Sequence, residues 1–478
     1  MTKESKIKQW PLYVLAVFIA LFVVLAVLFA IVKTPSLLEK SRIFSNDQGN
    51  LLISADSEQN PISVPLETLL RSADDLLSSG ELTKAMQLYE RALELGGSAQ
   101  VMRRLFETAV LMGDKQKAES VLGLLSFRGV SESTLDALRG MLLLRDGDIE
   151  EARMIFDKEP LRPEHVYGLL IADILEGEHD SARERIVQLM QSGDPLLMHS
   201  ARSLQGAYDE YDLFQDGKTV HLNTLIASVF SQIGQCPNAL ILLSDVLLEE
   251  SDYRDAWILK GHCQLMLEDH MNALSSFEHA YSLDPEKAET QYFLGITHEH
   301  LEQYEDAKKF LEFALQNRFK PNAIVRQKLA LYALNEGNNE EAISHYNAVI
   351  NGDSSDEVKN ESYRELVILM IESGDIEKAH DKALMARDAL GDTPDVLELV
   401  GWTAMLMGDL DQSATFLNSA TLQDPLLATA WYRKGELEER VGDKGQAVSS
   451  YRKAYDLSAG VDQELSIIAA EKHNRLVE

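Results

Sequence analysis

Few residues of the types that perform chemistry lie at spacings that would let them act together. His298, Glu299 and His300 are consecutive, but neighbouring side chains on a helix point to different faces, so we interpret them as surface or groove residues without a metal. Cys236 and Cys263 fit either two isolated small apolar residues or a disulfide between neighbouring helices. No phosphate-binding loop, nucleophile elbow or H-E-x-x-H pattern occurs. We therefore predict no catalytic residue, no cofactor and no metal site, and a protein that is not an enzyme.

The charge of the chain restricts its partners. The 478 residues include 77 acidic and 45 basic side chains, which gives a formal net charge of −32. Such a surface repels nucleic acid and favours basic or neutral partners. The composition, 45% hydrophobic and 26% charged, is that of a folded chain. We therefore exclude nucleic acid as a partner and expect a protein or peptide.

The strongest pattern is a repeat with a period of about 34 residues. One slot holds a small residue in each unit: Ala85, Ala118, Ala152, Ala182, Ala239, Ala273, Ala307, Ala342, Ala379, Ser413 and Ala447. Five positions earlier a glycine recurs: Gly80, Gly113, Gly147, Gly177, Gly234, Gly337, Gly374, Gly408 and Gly442. A small residue suits the close crossing of two helices, and a glycine suits the left-handed end of a helix. Each unit is therefore predicted to be a helical hairpin.

These units resemble the tetratricopeptide repeat (TPR) family. The family pattern is matched at Trp257, Gly261, Ala273, Phe277, Ala280 and Pro285, and again at Trp431, Gly435, Ala447, Tyr451 and Ala454. The resemblance spans about residues 65–460 and implies an all-α fold, a right-handed α-solenoid of about eleven TPR-type helical hairpins.

An apolar run precedes the repeats. Residues 12–32 carry no charge, and such a helix would be about 31 Å long, close to the thickness of a bilayer core. We predict an uncleaved transmembrane helix rather than a signal peptide, whose apolar part is shorter. A slight excess of positive charge before the run places the N-terminus inside and the repeats outside. The predicted location is that of a single-pass protein of the plasma or inner membrane.

The sequence is divided accordingly. The predicted segments are a cytoplasmic tail (1–9), a transmembrane anchor (10–33), a tether (34–64), an N-terminal TPR lobe (65–193), an extra helix or connector (194–219), a C-terminal TPR lobe (220–460) and a capping helix (461–478).

The resemblance also implies a binding surface, because the first helix of each TPR hairpin lines a concave groove. In that register the groove residues are Tyr167, Ile171, Ile258, His262, Leu265, Tyr292, Ile296, Arg364, Ile368, Trp402, Met405, Tyr432 and Glu436. Apolar and aromatic side chains with acidic surroundings favour a peptide that carries apolar anchors and basic residues.

We therefore expect a membrane-anchored scaffold or adaptor that binds partner segments in the groove, with bacterial envelope assembly or secretion as the expected setting. The alternative is a self-associating, homo-oligomeric structural component of a membrane complex that has no separate client.

Overall fold

The computed structural model describes residues 66–78, 80–214, 217–458 and 462–477. Over these residues the chain forms 24 helices and no strand. Twenty-two of the helices pair into eleven hairpins. The prediction of an all-helical, TPR-like array is therefore confirmed.

Four hairpins and one additional helix come first. The hairpins are α1 (Leu66–Ser78) with α2 (Leu82–Glu94), α3 (Ala99–Met112) with α4 (Lys115–Phe127), α5 (Glu132–Asp146) with α6 (Ile149–Phe156), and α7 (Pro163–Leu175) with α8 (His179–Met190). The additional helix is α9 (Pro195–Asp212), which lies within the segment predicted as an extra helix.

Seven hairpins and a terminal helix follow. They are α10 (Thr219–Gln232) with α11 (Cys236–Glu249), α12 (Arg254–Met266) with α13 (His270–Leu283), α14 (Ala288–His300) with α15 (Tyr304–Gln316), α16 (Asn322–Asn335) with α17 (Asn339–Ile350), α18 (Asp356–Glu372) with α19 (Ile376–Leu390), α20 (Pro394–Met407) with α21 (Leu410–Gln423), α22 (Ala428–Val441) with α23 (Lys444–Ser458), and α24 (Gln463–Val477).

The described residues belong to two compact units. Unit 1 contains Ala73–Asn317, and unit 2 contains Arg318–Glu478 together with residues 66–72. The lobe boundaries predicted at 193 and 220 stay a prediction.

The repeating small residue explains how each hairpin closes. All eleven of these side chains, from Ala85 to Ala447, have no solvent exposure. Glycines on the first helix of a hairpin admit a large side chain of the second helix. A Cβ added at Gly261 would lie 2.7 Å from the Phe277 ring, and one at Gly435 would lie 2.8 Å from the Tyr451 ring. In these two hairpins the core is therefore set by a small residue at one crossing and a glycine at the next.

Helix ends follow the sequence signals. Asp409 accepts a hydrogen bond from the Gln412 amide at 3.0 Å and so caps the start of α21. Gly408 ends α20 in the left-handed region with φ of 86°. In two turns a glutamate replaces this glycine, and Glu268 and Glu302 both have φ of 59°.

The predicted membrane location is wrong. Among the helices of residues 66–477 that the structure describes, none is both long and apolar enough to cross a membrane. The longest, α9, has 18 residues and carries charges at Arg202, Asp209, Glu210 and Asp212, and burying charges in a bilayer is strongly unfavourable. The predicted tail, anchor and tether (1–9, 10–33 and 34–64) lie outside the described residues.

Candidate functional site

The predicted groove residues divide into two groups by exposure. Buried members pack in the protein interior: Tyr167, Ile171, His262, Tyr292, Met405 and Tyr432. Half-buried members keep part of the side chain in solvent: Ile258, Leu265, Ile296, Arg364, Ile368, Trp402 and Glu436. Contact between either group and a partner stays a prediction.

In unit 2, three of the half-buried members lie around one buried carboxylate: Arg364, Trp402 and Glu436. Glu398 on α20 has no solvent exposure, and its Oε2 accepts a hydrogen bond from Arg364 Nη2 on α18 at 2.7 Å. The Nε atom of Arg433 on α22 lies 3.6 Å from Glu398 Oε1. A buried carboxylate is stable only when charge and hydrogen bonds compensate its lost hydration. Glu398 therefore links the first helices of three successive hairpins.

An arginine is stacked on the half-buried tryptophan beside this carboxylate. The guanidinium carbon of Arg433 lies 3.8 Å from the centroid of the Trp402 ring, which is a cation–π contact. Arg433 Nη1 also donates to Glu436 Oε2 at 2.8 Å. Glu436 and Glu398 thus hold the guanidinium of Arg433 against the Trp402 ring.

A further carboxylate lies at the edge of the group. Asp395 Oδ1 is 3.8 Å from Arg364 Nη2, and burial raises the pKa of Asp395 above its ordinary value although Arg364 opposes this. Burial alone would lower the pKa of Arg364, but the charges of Glu398 and Asp395 and the hydrogen bond to Glu398 raise it. We call the following residues the Trp402 cluster: Arg364, Asp395, Glu398, Trp402, Arg433 and Glu436.

Three members of the Trp402 cluster are absent from the sequence-based list: Asp395, Glu398 and Arg433. Glu398 lies 34 residues after Arg364, so the register that selects Arg364 also selects Glu398. An acidic side chain is easily assigned to a solvated helix face, and its full burial is visible only in the structure. Arg433 follows Tyr432 by one position, out of register, and it reaches the cluster through the length of its side chain.

The predicted groove residues of unit 1 are uncharged near neutral pH, and four of them are buried: Tyr167, Ile171, His262 and Tyr292. His262 Nδ1 lies 3.0 Å from Ser231 Oγ, and its ring packs edge-on against Phe293 at 5.5 Å between centroids. Burial lowers the pKa of His262 to about 4. Tyr292 is buried, and burial raises the pKa of its hydroxyl. These side chains stabilise the stacking of hairpins.

The cysteines and the His-Glu-His segment are placed as follows. Cys236 and Cys263 are free, buried thiols, and the Cys236 Sγ lies 3.8 Å from Ser231 Oγ. His298 stacks on Phe310 with 5.3 Å between centroids, whereas His300 stacks on His270 at 4.7 Å. The two histidines therefore face different neighbours, as the helical spacing predicts.

Comparisons with known proteins agree with the repeat pattern. A family model described as tetratricopeptide repeat matches residues 255–287 and 428–460, which correspond to α12–α13 and α22–α23.

Similar solved structures include the APC/C hetero-tetramer Cut9-Hcn1, with 14% identity, 87% of this chain and 97% of that chain covered, and a TM-score of 0.40. The structure of yeast Tom70 has 13% identity and a TM-score of 0.38, and the match covers 86% of this chain and 95% of that chain. The C-terminal part of a TPR repeat-containing protein from Cytophaga hutchinsonii has 13% identity and a TM-score of 0.40, and the match covers 52% of this chain and 98% of that chain. The matched segments, together with the helical hairpins that hold them, identify this chain as one that contains tetratricopeptide repeats.

Proposed function

We propose that the protein is a non-catalytic interaction scaffold and that the Trp402 cluster of unit 2 binds a segment of a partner protein. The observation that supports this most directly is the stacking of Arg433 on Trp402 at 3.8 Å, beside the buried Glu398. It places a half-buried aromatic side chain on the first helix of a hairpin, where a partner segment can reach it.

The fixed geometry of the cluster favours binding. An aromatic side chain already held by neighbours loses little conformational entropy when a partner packs on it. Tryptophan and arginine are also the residues most often found at energetic hot spots of protein interfaces. Ile368, one turn after Arg364 on α18 and half-buried, adds an apolar contact of the kind that a partner's apolar anchor needs.

The charge of the cluster favours a basic partner segment. Three carboxylates (Asp395, Glu398 and Glu436) face two guanidinium groups (Arg364 and Arg433), which leaves one negative charge in excess. The chain as a whole carries −32. A segment with an apolar anchor and a neighbouring lysine or arginine would be attracted over a distance and then docked on Trp402.

Affinity capture with matched tryptophan variants tests this proposal. The full-length protein, Trp402→Ala and Trp431→Ala would be used as baits in cell lysate, and captured proteins would be quantified by mass spectrometry. Trp431 is also half-buried, but its indole donates to the Pro425 carbonyl at 2.9 Å and it lies outside the cluster. Its variant therefore controls for the loss of a tryptophan as such.

We expect at least one partner to fall about tenfold with Trp402→Ala, as expected for about 1.4 kcal/mol of binding energy, and to remain with Trp431→Ala. Equal retention by all three baits would contradict the assignment of the cluster. Recovery of the bait alone, together with a concentration-dependent oligomer in solution, would favour self-association in its place.

A further inference from the structure

A turn in unit 1 holds a glutamate where most hairpins hold glycine. Glu268, between α12 and α13, has φ of 59°, in the left-handed region that side chains rarely adopt. Glu302, between α14 and α15, has the same φ. The backbone conformation is therefore the same at Glu268 and Glu302, and Glu268 differs in the contacts that its side chain makes.

Glu268 reaches a helix that is far away in the sequence. Its Oε1 accepts a hydrogen bond from the backbone amide of Thr83 at 3.1 Å, and its Oε2 accepts one from Thr83 Oγ1 at 2.6 Å. Thr83 lies in the first turn of α2, where backbone amides have no partner within the helix. The local N-cap residue, Glu81, forms an ion pair with Lys84. The carboxylate of Glu268 thus caps α2 from 185 residues away.

A close backbone approach accompanies this cap. A Cβ added at Gly80, in the turn between α1 and α2, would lie 3.1 Å from Met266 Sδ and 3.3 Å from Met266 Cα. Gly80 itself has φ of 80°. The turn before α2 therefore packs directly on the end of α12, and a side chain at position 80 would press against Met266.

These contacts join the first hairpin to the sixth, and all of their residues belong to unit 1. In an open solenoid each hairpin contacts only its neighbours in sequence. Here a polar cap and a small apolar contact join α2 to α12, and α11 of the fifth hairpin also packs against α5 of the third. The cap is exposed to solvent. Water can replace its hydrogen bonds, so their net contribution is modest and the closure is reversible.

We propose that Glu268 is a conformational latch that holds unit 1 closed. Its release leaves the start of α2 uncapped and separates the turn at Gly80 from Met266. The open state then exposes Met266 and the surfaces of the first and sixth hairpins, which a partner can contact only after opening. This device goes beyond the proposed binding at the Trp402 cluster, which lies in unit 2.

Hydrogen exchange of the full-length protein tests the latch. The variants are Glu268→Ala and, as a matched control, Glu302→Ala. Both replace a glutamate at φ of 59° with alanine, so backbone strain is the same. Glu302 is exposed and lies one repeat further along the chain, in the turn after α14. Thr83→Val provides a partial variant, since it removes the hydroxyl and keeps the backbone amide.

Glu268→Ala should raise the exchange rate of amides 82–86 about tenfold and leave those of α7 and α8 unchanged. Thr83→Val should have a smaller effect, and the double variant should match Glu268→Ala because both changes act on one contact. The radius of gyration from small-angle X-ray scattering should increase for Glu268→Ala and not for Glu302→Ala.

Three results would overturn the latch. One is exchange at the start of α2 that is the same for Glu268→Ala and Glu302→Ala. Another is an equal rise in exchange through the whole of unit 1, which would show a general stabilising contact. The third is an unchanged radius of gyration in Glu268→Ala, which would show that the variant does not open.

Discussion

The same repeat register produces different chemistry in the two units. In unit 1 it places His262 and Tyr292 in the interior, where His262 Nδ1 lies 3.0 Å from the neutral hydroxyl of Ser231. In unit 2 it places Arg364 and Glu398 as an ion pair whose carboxylate is fully buried. Hairpin geometry therefore fixes where a side chain points, and the residue type decides whether that position is neutral or charged.

The units also differ in how distant parts of the chain meet. Unit 1 has a contact over 185 residues, between Thr83 and Glu268. The ion pairs of the Trp402 cluster join hairpins that are next to each other, over 34 residues for Arg364 and Glu398. We infer that unit 1 is built for closure and unit 2 for presentation of a fixed surface.

The largest expected effect comes from breaking the buried ion pair of unit 2. Arg364→Ala would leave Glu398 buried with only the more distant Arg433, and removing one partner of a buried pair costs about 3–5 kcal/mol. Urea unfolding followed by tryptophan fluorescence measures the loss. The double variant Arg364→Leu with Glu398→Leu should recover most of it, because the fully buried carboxylate is removed together with its partner. A loss below about 1 kcal/mol for Arg364→Ala would mean that Glu398 is hydrated.

The next effect belongs to unit 1 and depends on pH. Burial lowers the pKa of His262 to about 4, from an ordinary value of 6.5, so the unfolded chain binds a proton that the folded chain does not. Stability is therefore complete above pH 6.5 and decreases as the pH falls toward 4, by up to about 3 kcal/mol. His262→Gln should remove this part of the pH dependence in urea unfolding between pH 7 and 4.

The exposed His199 supplies the control for that measurement, because His199→Gln removes a histidine from the surface. If His262→Gln and wild type lose stability in parallel as the pH falls, the imidazole is hydrated in the folded state. The comparison between a neutral, buried position in unit 1 and a charged one in unit 2 would then fail.

The fold follows from the sequence more fully than the site does. A small residue at each helix crossing is required by packing, so its recurrence from Ala85 to Ala447 predicts the hairpins directly. The position within the repeat also selects Arg364, Trp402 and Glu436 as groove residues. It does not predict how deeply a side chain is buried, however. The full burial of Glu398 depends on arginines from two other helices. The membrane prediction rests on hydropathy in residues 12–32, and no described helix supports it.

The contact between Thr83 and Glu268 has no signal in the sequence. Its residues are 185 positions apart, and the residue types are common on helix ends. Small angular differences accumulate from one hairpin to the next, so the position of the sixth hairpin relative to the first cannot be derived from a single repeat.

The smallest expected effects concern the hairpin core, which both units share. Gly261→Ala in unit 1 and Gly435→Ala in unit 2 would each place a Cβ within 2.8 Å of an aromatic ring, Phe277 or Tyr451, and should each destabilise the protein by about 1–3 kcal/mol. Gly123 on α4 has no atom within 4 Å of an added Cβ, so Gly123→Ala should stabilise the helix by up to about 1 kcal/mol. Urea midpoints measure all three. If Gly435→Ala were tolerated while Gly261→Ala was not, hairpin packing would differ between the units as well, and the contrast between them would no longer be confined to the predicted groove residues and the contact between Thr83 and Glu268.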